Sequence, residues 1–416
     1  MPVSTQNLNI FIHTVHRSEL KLTAGSHINN QELFKAQLNE YPERALLLST
    51  SSDYIVLNHY PDESYLDYLV SLGIGTHNIL LPTVTGESLS ERLLNDKQLL
   101  NLLRNLGKSA NELTIQPYIS TQAERQIAEL INASVNGSPP ELTSQVNNKI
   151  YLPALLQELS LPCIEYEIVD TTTVMSTAQK LMSKYTKIII IGEHTYGGIA
   201  VWKLTDNQTL SHFKRVISQC QSSERFLVGK MYEVSSSPNI QYNISLDCIQ
   251  KLGITEQILD ANLKHQGNVS LSTRRIAKLN QYSQLISAKL QGKGYRGLVG
   301  IDFIETVDGN IFAVDINGRA NASSFGLNAI HKLFPDTNQQ KHFKILPRLD
   351  LGKKLTFPEL RNLLGKNNLF TKQNEQGILP YNTGFLKWGK LSAIIVADTL
   401  EDINKWHSMF PLRRLR

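Results

Sequence analysis

The chain has 416 residues, 41% of them hydrophobic and 19% charged, with a formal net charge of +5, an ordinary globular composition for roughly two to four structural units. Apart from Arg413, Arg414 and Arg416 the basic residues are scattered, which argues against a nucleic-acid-binding stripe, and no apolar run approaches the roughly 20 residues of a membrane span. Cys163, Cys220 and Cys248 lack metal or redox spacing, and the N-terminus has no charged-then-apolar signal pattern, so the expectation is a cytoplasmic protein with neither nucleic acid nor membrane as partner.

In chain order, residues 8–13, 45–48 and 54–57 read as strands. Tyr65, Tyr68, Leu69 and Leu72 follow at helical spacing. A short strand at 79–81, a helix from Leu89 to Leu106 and a strand at 114–119 come next, and Thr121 with Glu124 forms a capping box for a helix over 122–131. Strands alternating with helices imply a parallel α/β layer. The Gly-x-Gly-x-x-Gly turn wanted by a dinucleotide is missing from it, so NAD is not expected.

Residues 132–148, NASVNGSPPELTSQVNN, have a linker composition and mark a domain boundary. The next stretch, NKIYLPALLQELSLPCIEYEIVD, is a helix followed by a strand. Residues 185–204 read as a strand, a loop containing Gly192, Gly197 and Gly198, and a second strand. Residues 225–245 open with another strand, and 274–290 form an amphipathic helix with Ile276, Leu279, Leu285, Ile286 and Leu290 apolar. After Pro347 the pattern is a helix at 353–369, a loop and strand at 377–396 and a short helix at 402–410, together a small α/β appendage.

The most informative stretch is Gly297 to Arg319, GLVGIDFIETVDGNIFAVDINGR. Two β-branched runs flank Asp308-Gly309, a dipeptide that favours a two-residue hairpin turn. With Val307 paired to Asn310, Asp302 falls opposite Asp315 and Gly300 opposite Asn317. Side chains alternate along a strand, so Asp302, Asp315 and Asn317 share one face. Ile301, Phe303, Phe312, Val314 and Ile316 take the other, as core. Like charges directly opposite one another destabilise a sheet. A cation resolves the conflict, and two carboxylates with an amide oxygen are hard donors suited to Mg²⁺. The alternative is a hairpin whose acidic face is simply solvated.

This hairpin resembles the metal-binding hairpin of the ATP-grasp carboxylate–amine ligases, in which an acid on one strand is followed by acid-x-Asn, often with Arg two residues on. Asp302, Asp315, Asn317 and Arg319 occupy those positions, with Asp315 where that superfamily usually has Glu. The resemblance implies an α/β fold (α+β in the grasp lobes), arranged as a pre-ATP-grasp α/β domain (1–140), a first grasp lobe with a glycine lid (141–225), a second lobe with the metal hairpin (226–346) and a small C-terminal α/β domain (347–416). It implies Mg²⁺ on Asp302, Asp315 and Asn317, bridging the β- and γ-phosphates of ATP, and Arg319 as the catalytic residue holding the carboxylate or the transferring phosphoryl group. It also implies nucleotide contacts: Lys149 at a phosphate; the backbone amides of Gly197 and Gly198 over the triphosphate, where no Cβ obstructs; Lys230, Met231 and Tyr232 beside adenine; and Glu233 near the ribose. The lysine usual at the end of the first lid strand is replaced by Ile190 or Ile191, leaving Lys187 as the lysine of that strand. Gly229 stands where an acid is usual.

An α/β domain ahead of the grasp, the stretch DYIVLNHYPDESYLDYLVSLGIGTHNILLP and a GILPYN segment near the C-terminus resemble the pheganomycin-type peptide ligases. The resemblance covers essentially the whole chain. What it implies is the joining of a small-molecule or peptide carboxylate to an amine through an acylphosphate, with ATP cleaved to ADP and phosphate, in natural-product biosynthesis, and it is compatible with a homodimer. Two other readings stay open: a catalytically impaired binding or scaffold protein of the same fold, and a ligase using a non-amine nucleophile.

Overall fold

A computed structural model describes residues 7–15, 36–196, 199–218, 224–271, 276–335, 341–365 and 367–409. Gly197, Gly198, Cys220 and the three C-terminal arginines lie outside them. Among the described residues the strands form three sheets, and no described helix is long and apolar enough to cross a membrane.

The first sheet has five strands, in the order Ile79–Leu80, Tyr54–Val56, Leu8–Ile12, Leu113–Pro117 and Ser134–Val135. All its pairings are parallel, the layer implied by the alternation of strands and helices. Chain order reverses between Leu8–Ile12 and Leu113–Pro117, which pair directly. Three details depart from expectation. Residues 45–48 belong to a 3-10 helix, Tyr41–Leu47, whose residues from Pro42 to Leu47 are all buried; a run buried on every side carries no periodicity, so a short helix reads like a strand. The helix expected over 89–106 is two, Leu89–Asn95 and Lys97–Lys108, because Asp96 caps the second by accepting the Leu99 N–H at 2.9 Å. The stretch read as a linker is ordered: Ser134–Val135 completes the sheet, and Pro140 opens a helix, Pro140–Asn147, at a position where proline's missing N–H costs nothing.

The second sheet has four antiparallel strands, in the order Tyr166–Asp170, Arg225–Lys230, Ile188–Tyr196 and Ile199–Leu204. Helices Val174–Lys184 and Asn207–Ile217 bury Val174, Ala178, Phe213 and Ile217 against it. Gly192 is not in the connecting loop: it pairs with Phe226 within the sheet.

The third sheet has nine strands and contains the acidic hairpin, Gly297–Thr306 and Ile311–Asn317. The helix Ile276–Gly292 buries Leu279, Ile286 and Leu290 beneath it, while Ile276 and Leu285 face outward. Strands Gly377–Tyr381 and Lys390–Ala397, expected in a separate appendage, extend this sheet through His342–Asp350. Their buried faces join the core that also holds Leu46, Tyr65 and Leu69 of the first layer, so the C-terminal segment ties the two together.

Candidate active site

The site begins with the register of the hairpin. Asp302 pairs with Asp315 and Gly300 with Asn317, as the sequence predicts, but through two deviations that cancel. The turn is one residue longer than expected: Thr306 N–H donates to the Asn310 carbonyl and Gly309 N–H to the Thr306 carbonyl, both at 2.9 Å. Gly309, at φ +86°, takes the left-handed conformation that such a turn requires. A bulge then follows, because Asp302 pairs with Asp315 while Phe303 pairs with Ala313, leaving Val314 as the extra residue. The bulge restores the acid pair and turns the residues between it and the turn over. Ile311 and Ala313 face the core, while Val314 lines a cleft and Phe312 packs on Tyr232 with ring centroids 5.3 Å apart. The expectation that Phe312 and Val314 are core residues is therefore corrected.

On the other side of Asp302 runs Pro238–Ile244, whose Asn239 pairs with Asp302 and whose Gln241 pairs with Gly300. Asn239 Nδ2 donates to Asp302 Oδ1, Gln241 Nε2 to Asn239 Oδ1 at 2.6 Å, and Ser324 Oγ to Gln241 Oε1 at 2.6 Å. A chain of amides thus fixes one acid in place. The signal was present in the sequence, since Asn239 and Gln241 alternate with Ile240 and Tyr242 at the strand period.

The last two residues of the supposed linker and the lysine that follows it complete the constellation. Asn147 Oδ1 accepts the Gly318 N–H at 3.0 Å. Asn148 Nδ2 donates to Glu193 Oε1 at 2.6 Å. Lys149 donates its own N–H to the Glu193 carbonyl at 3.0 Å and pairs its ammonium with Asp315 Oδ1. Asn317 Nδ2 donates to Asp302 Oδ2 at 3.1 Å and Asp315 Oδ2 at 3.4 Å, and its Oδ1 accepts from Arg319 at 3.1 Å. Burial, and then the charge of Asp315, pushes the Asp302 carboxyl well above the usual carboxylate range. Two facing carboxylates, one of them held against its charged form, fit a divalent cation: hard oxygen donors surround a position that Lys149 and the Asn317 amide now neutralise in part. Asn317 joins such a set only with its amide turned over, since its nitrogen faces the acids.

These groups open onto a cleft of about 650 Å³ between the second and third sheets. Ile189, Ile191, Lys230, Met231, Tyr232, Ile304 and Val314 line it, together with Lys149, Asp302, Asp315, Asn317 and Arg319. Two expected nucleotide residues fall elsewhere. Lys187 precedes the strand and offers its carbonyl to the Met231 N–H at 3.1 Å, but its side chain does not line the cleft. Glu233 is exposed and outside the lining, because the residues after Tyr232 turn along the hairpin edge, where its carbonyl accepts from Val307. The acid that lines the cleft near there is Glu256, on Ile249–Leu259, whose carboxylate accepts from Ser236 Oγ at 2.6 Å and Ser237 N–H at 2.5 Å. Sequence reading also missed Arg44, Tyr41 and Tyr118, which line the cleft from the first layer.

Residues 165–317 match the family model described as "L-aspartate--L-methionine ligase, ATP grasp", and residues 42–133 match the model of the pre-ATP-grasp domain. The chain carries a pre-ATP-grasp domain and an ATP-grasp domain of the ligase type. With those domains it is an ATP-dependent ligase of the carboxylate–amine class. The matched description differs from the pheganomycin-type branch while sharing its superfamily and its leading domain.

Solved structures with the same ATP-grasp architecture include the ADP complex of PurK, N5-carboxyaminoimidazole ribonucleotide synthetase (14% identity, TM-score 0.59, 98% of this chain and 96% of that one covered). N5-carboxyaminoimidazole synthetase from Staphylococcus aureus is similar at 11% identity and TM-score 0.56, with 97% of each chain covered. The biotin carboxylase domain of Hydrogenobacter thermophilus 2-oxoglutarate carboxylase is similar at 9% identity and TM-score 0.60, with 98% of this chain and 90% of that one covered. At these identities the likeness is one of fold. No curated protein sequence matches the chain.

The glycine at 229, where an acid is usual in ATP-grasp enzymes, has a steric reason: a Cβ there would fall inside van der Waals contact of the Glu165 carbonyl oxygen and crowd Tyr166. The strand Tyr166–Asp170 packs too closely for any side chain.

Proposed function

We propose that this ATP-grasp ligase activates a small-molecule or peptide carboxylate as an acylphosphate and transfers the acyl group to an amine. A carboxylate oxygen of the acid attacks the γ-phosphorus of ATP. The bond from that phosphorus to the bridging oxygen breaks, and ADP leaves with the electron pair. The amine nitrogen then attacks the acyl carbon, phosphate leaves, and the nitrogen gives up a proton to water. The description of the matched family supports amino acids as both partners.

The observation that carries the reading is the convergence of Lys149, Asp302, Asp315, Asn317 and Arg319 on one wall of the cleft. Phosphoryl transfer asks little covalent chemistry of a protein and much positioning and charge neutralisation. Lys149, anchored through its backbone on Glu193, exchanges Asp315 for a phosphate oxygen. Arg319, oriented by Asn317 and by Tyr118 Oη at 3.1 Å, presents a planar fork to the reacting carboxylate. The apolar lining from Ile189, Ile191 and Val314 beside Lys230–Tyr232 receives adenine. Asp302 and Asp315, with Asn317 once its amide has turned, would hold Mg²⁺, whose charge when bound offsets that of the β- and γ-phosphates.

A thermal melt tests the nucleotide half of this reading, since a ligand that binds only the native state stabilises it by mass action. Mg-ATP raises the midpoint, and EDTA removes most of the rise. ADP release that requires both an acid and an amine tests the other half. No shift at millimolar Mg-ATP would overturn the reading.

A further inference from the structure

Every carboxylate oxygen of the acid pair accepts a donor from the chain itself. Asp302 Oδ1 accepts from Asn239 Nδ2, and Asp302 Oδ2 from Asn317 Nδ2 at 3.1 Å. Asp315 Oδ1 pairs with the Lys149 ammonium, and Asp315 Oδ2 accepts from the same Asn317 nitrogen at 3.4 Å. Asn239 comes from the flanking strand, on the side of Asp302 away from Asp315. Lys149 and Asn317 are the two that reach Asp315, and the Lys149 charge is felt at Asp302 as well.

This arrangement and a bound cation exclude one another. A metal at the acids and the Lys149 ammonium would share one small carboxylate, and like charges at that range repel strongly where water is scarce. Asn317 must turn its amide to offer oxygen, and the turn takes Oδ1 away from Arg319, whose guanidinium it accepts from at 3.1 Å. Metal entry therefore costs an ion pair and a charge-assisted hydrogen bond. The base of Lys149 is fixed, which limits where its ammonium can go. Its backbone N–H is bonded to the Glu193 carbonyl at 3.0 Å, and Asn148 beside it to Glu193 Oε1 at 2.6 Å, both on the strand Ile188–Tyr196. Among the described residues that line the cleft, the other carboxylates are engaged: Glu256 by Ser236 and Ser237, and Asp260 by Asn262, Lys264 and Gln266. A phosphate brought into the cleft is the new anion that can draw Lys149 off Asp315.

We propose that Lys149 makes metal binding depend on nucleotide: its ammonium stands in for the metal at the acid pair until a phosphate oxygen draws it away. Free Mg²⁺ is then turned back, and Mg²⁺ accompanied by a nucleoside triphosphate is admitted. This rests on the ligase reading and adds a regulation of the same site. The exchange also runs backwards: once the nucleotide leaves, Lys149 returns to Asp315 and displaces the metal.

The probe is Mn²⁺, a hard cation that shares the oxygen preference of Mg²⁺ and whose unbound fraction is read by electron paramagnetic resonance. Added alone, Mn²⁺ binds wild type weakly, and it binds Lys149→Met and Lys149→Gln at one site more tightly by roughly tenfold or more. Lys149→Arg keeps the charge and resembles wild type. Adding Asp315→Asn to Lys149→Met removes the gain, which places the metal at the acid pair. Lys230→Met removes a different cation of the cleft and leaves the Mn²⁺ affinity at the wild-type value. Mn²⁺ also raises the melting midpoint of Lys149→Met more than that of wild type, a readout that only a folded variant gives. With a non-hydrolysable ATP analogue present the order reverses, and wild type holds Mn²⁺ more tightly than Lys149→Met, because Lys149 now serves the phosphates. Mn²⁺ alone binding wild type as tightly as Lys149→Met, no tighter site in either variant lacking the charge, or an equal gain in Lys230→Met overturns the proposal. Failure of wild type to bind the analogue would instead strike the ligase reading, from which the measurements with Mn²⁺ alone are independent.

Discussion

Lys149 and Asp315 stand 166 residues apart in the chain and form an ion pair inside the cleft, with side chains 10% and 22% exposed. The pair joins the entry to the first grasp lobe to the metal hairpin, and Asp302 lies within electrostatic reach of both partners. Asp315 therefore feels attraction from Lys149 and repulsion from Asp302 at once.

Replacing Asp315 by Asn removes both effects together. Lys149 then has Asp302 as its charge partner, so the ligand-free variant melts close to wild type while ADP release falls by orders of magnitude. The double variant Asp302→Asn/Asp315→Asn leaves Lys149 without any acid and is destabilised by about 3 kcal/mol, the cost of orphaning a buried charge. Denaturant melts of both single variants and the double close the cycle; strict additivity would show that the two acids do not share Lys149.

Glu193 acts on the site at one remove. Its carboxylate is bonded by Asn148 at 2.6 Å and by Arg225 at 2.5 and 3.1 Å, while its carbonyl seats the Lys149 backbone. Because Arg225 is half exposed, the ion pair itself contributes little, on the order of 1 kcal/mol or less. Glu193→Ala is expected to leave the melting temperature nearly unchanged and to raise KM for ATP several-fold by loosening Asn148 and Lys149. A large loss of stability with KM unchanged would reassign Glu193 to a purely structural role.

A pH dependence unrelated to catalysis follows from Glu43. Burial, opposed by its bonds to Thr383, holds this carboxyl up at about 7, above its ordinary value of 4.5. A carboxyl raised in the folded state stabilises the fold fully below 4.5, and that contribution is lost as pH rises through about 7. Glu43→Gln keeps an oxygen for the Thr383 N–H and cannot ionise. Its melting temperature should therefore gain on wild type from pH 5 to about pH 7 and hold that gain above it, and a constant difference from pH 5 to pH 8 would contradict the assignment.

Gly229→Ala tests the close approach of the strand Arg225–Lys230 to Glu165. An added Cβ forces the strand Tyr166–Asp170 away from its partner, and the expected cost is about 1–3 kcal/mol. Loss of Mg-ATP binding beyond what that destabilisation explains would show that the displacement reaches Lys230–Tyr232 in the cleft.

The acid pair was legible because alternation and the need to bury one face constrain register strongly. Asp302, Asp315 and Asn317 could be named from spacing, Arg319 from the resemblance of the hairpin, and the parallel first layer from the alternation of its strands and helices. Local composition was less informative where tertiary packing overrides it. Residues 132–148 look like a tether, yet they order into a strand and a helix because Asn147, Asn148 and Lys149 find partners in Gly318, Glu193 and Asp315.

By itself, then, the sequence determined the parallel first layer and the facing acids, since both depend on short-range periodicity, while the grasp fold and its chemistry were legible only through the resemblance of the hairpin to that of the ATP-grasp ligases. Only the tertiary structure decided that Phe312 and Val314 face the cleft, because a longer turn and a bulge cancel in register but not in orientation. It alone decided that Glu256 rather than Glu233 lines the cleft, because the chain turns along the hairpin edge after Tyr232. It alone brought Arg44 and Tyr118 to Arg319, a contact whose nearer pair is already 201 residues apart. Contacts at that separation are set by how the layers pack together, and no local pattern in the chain encodes them.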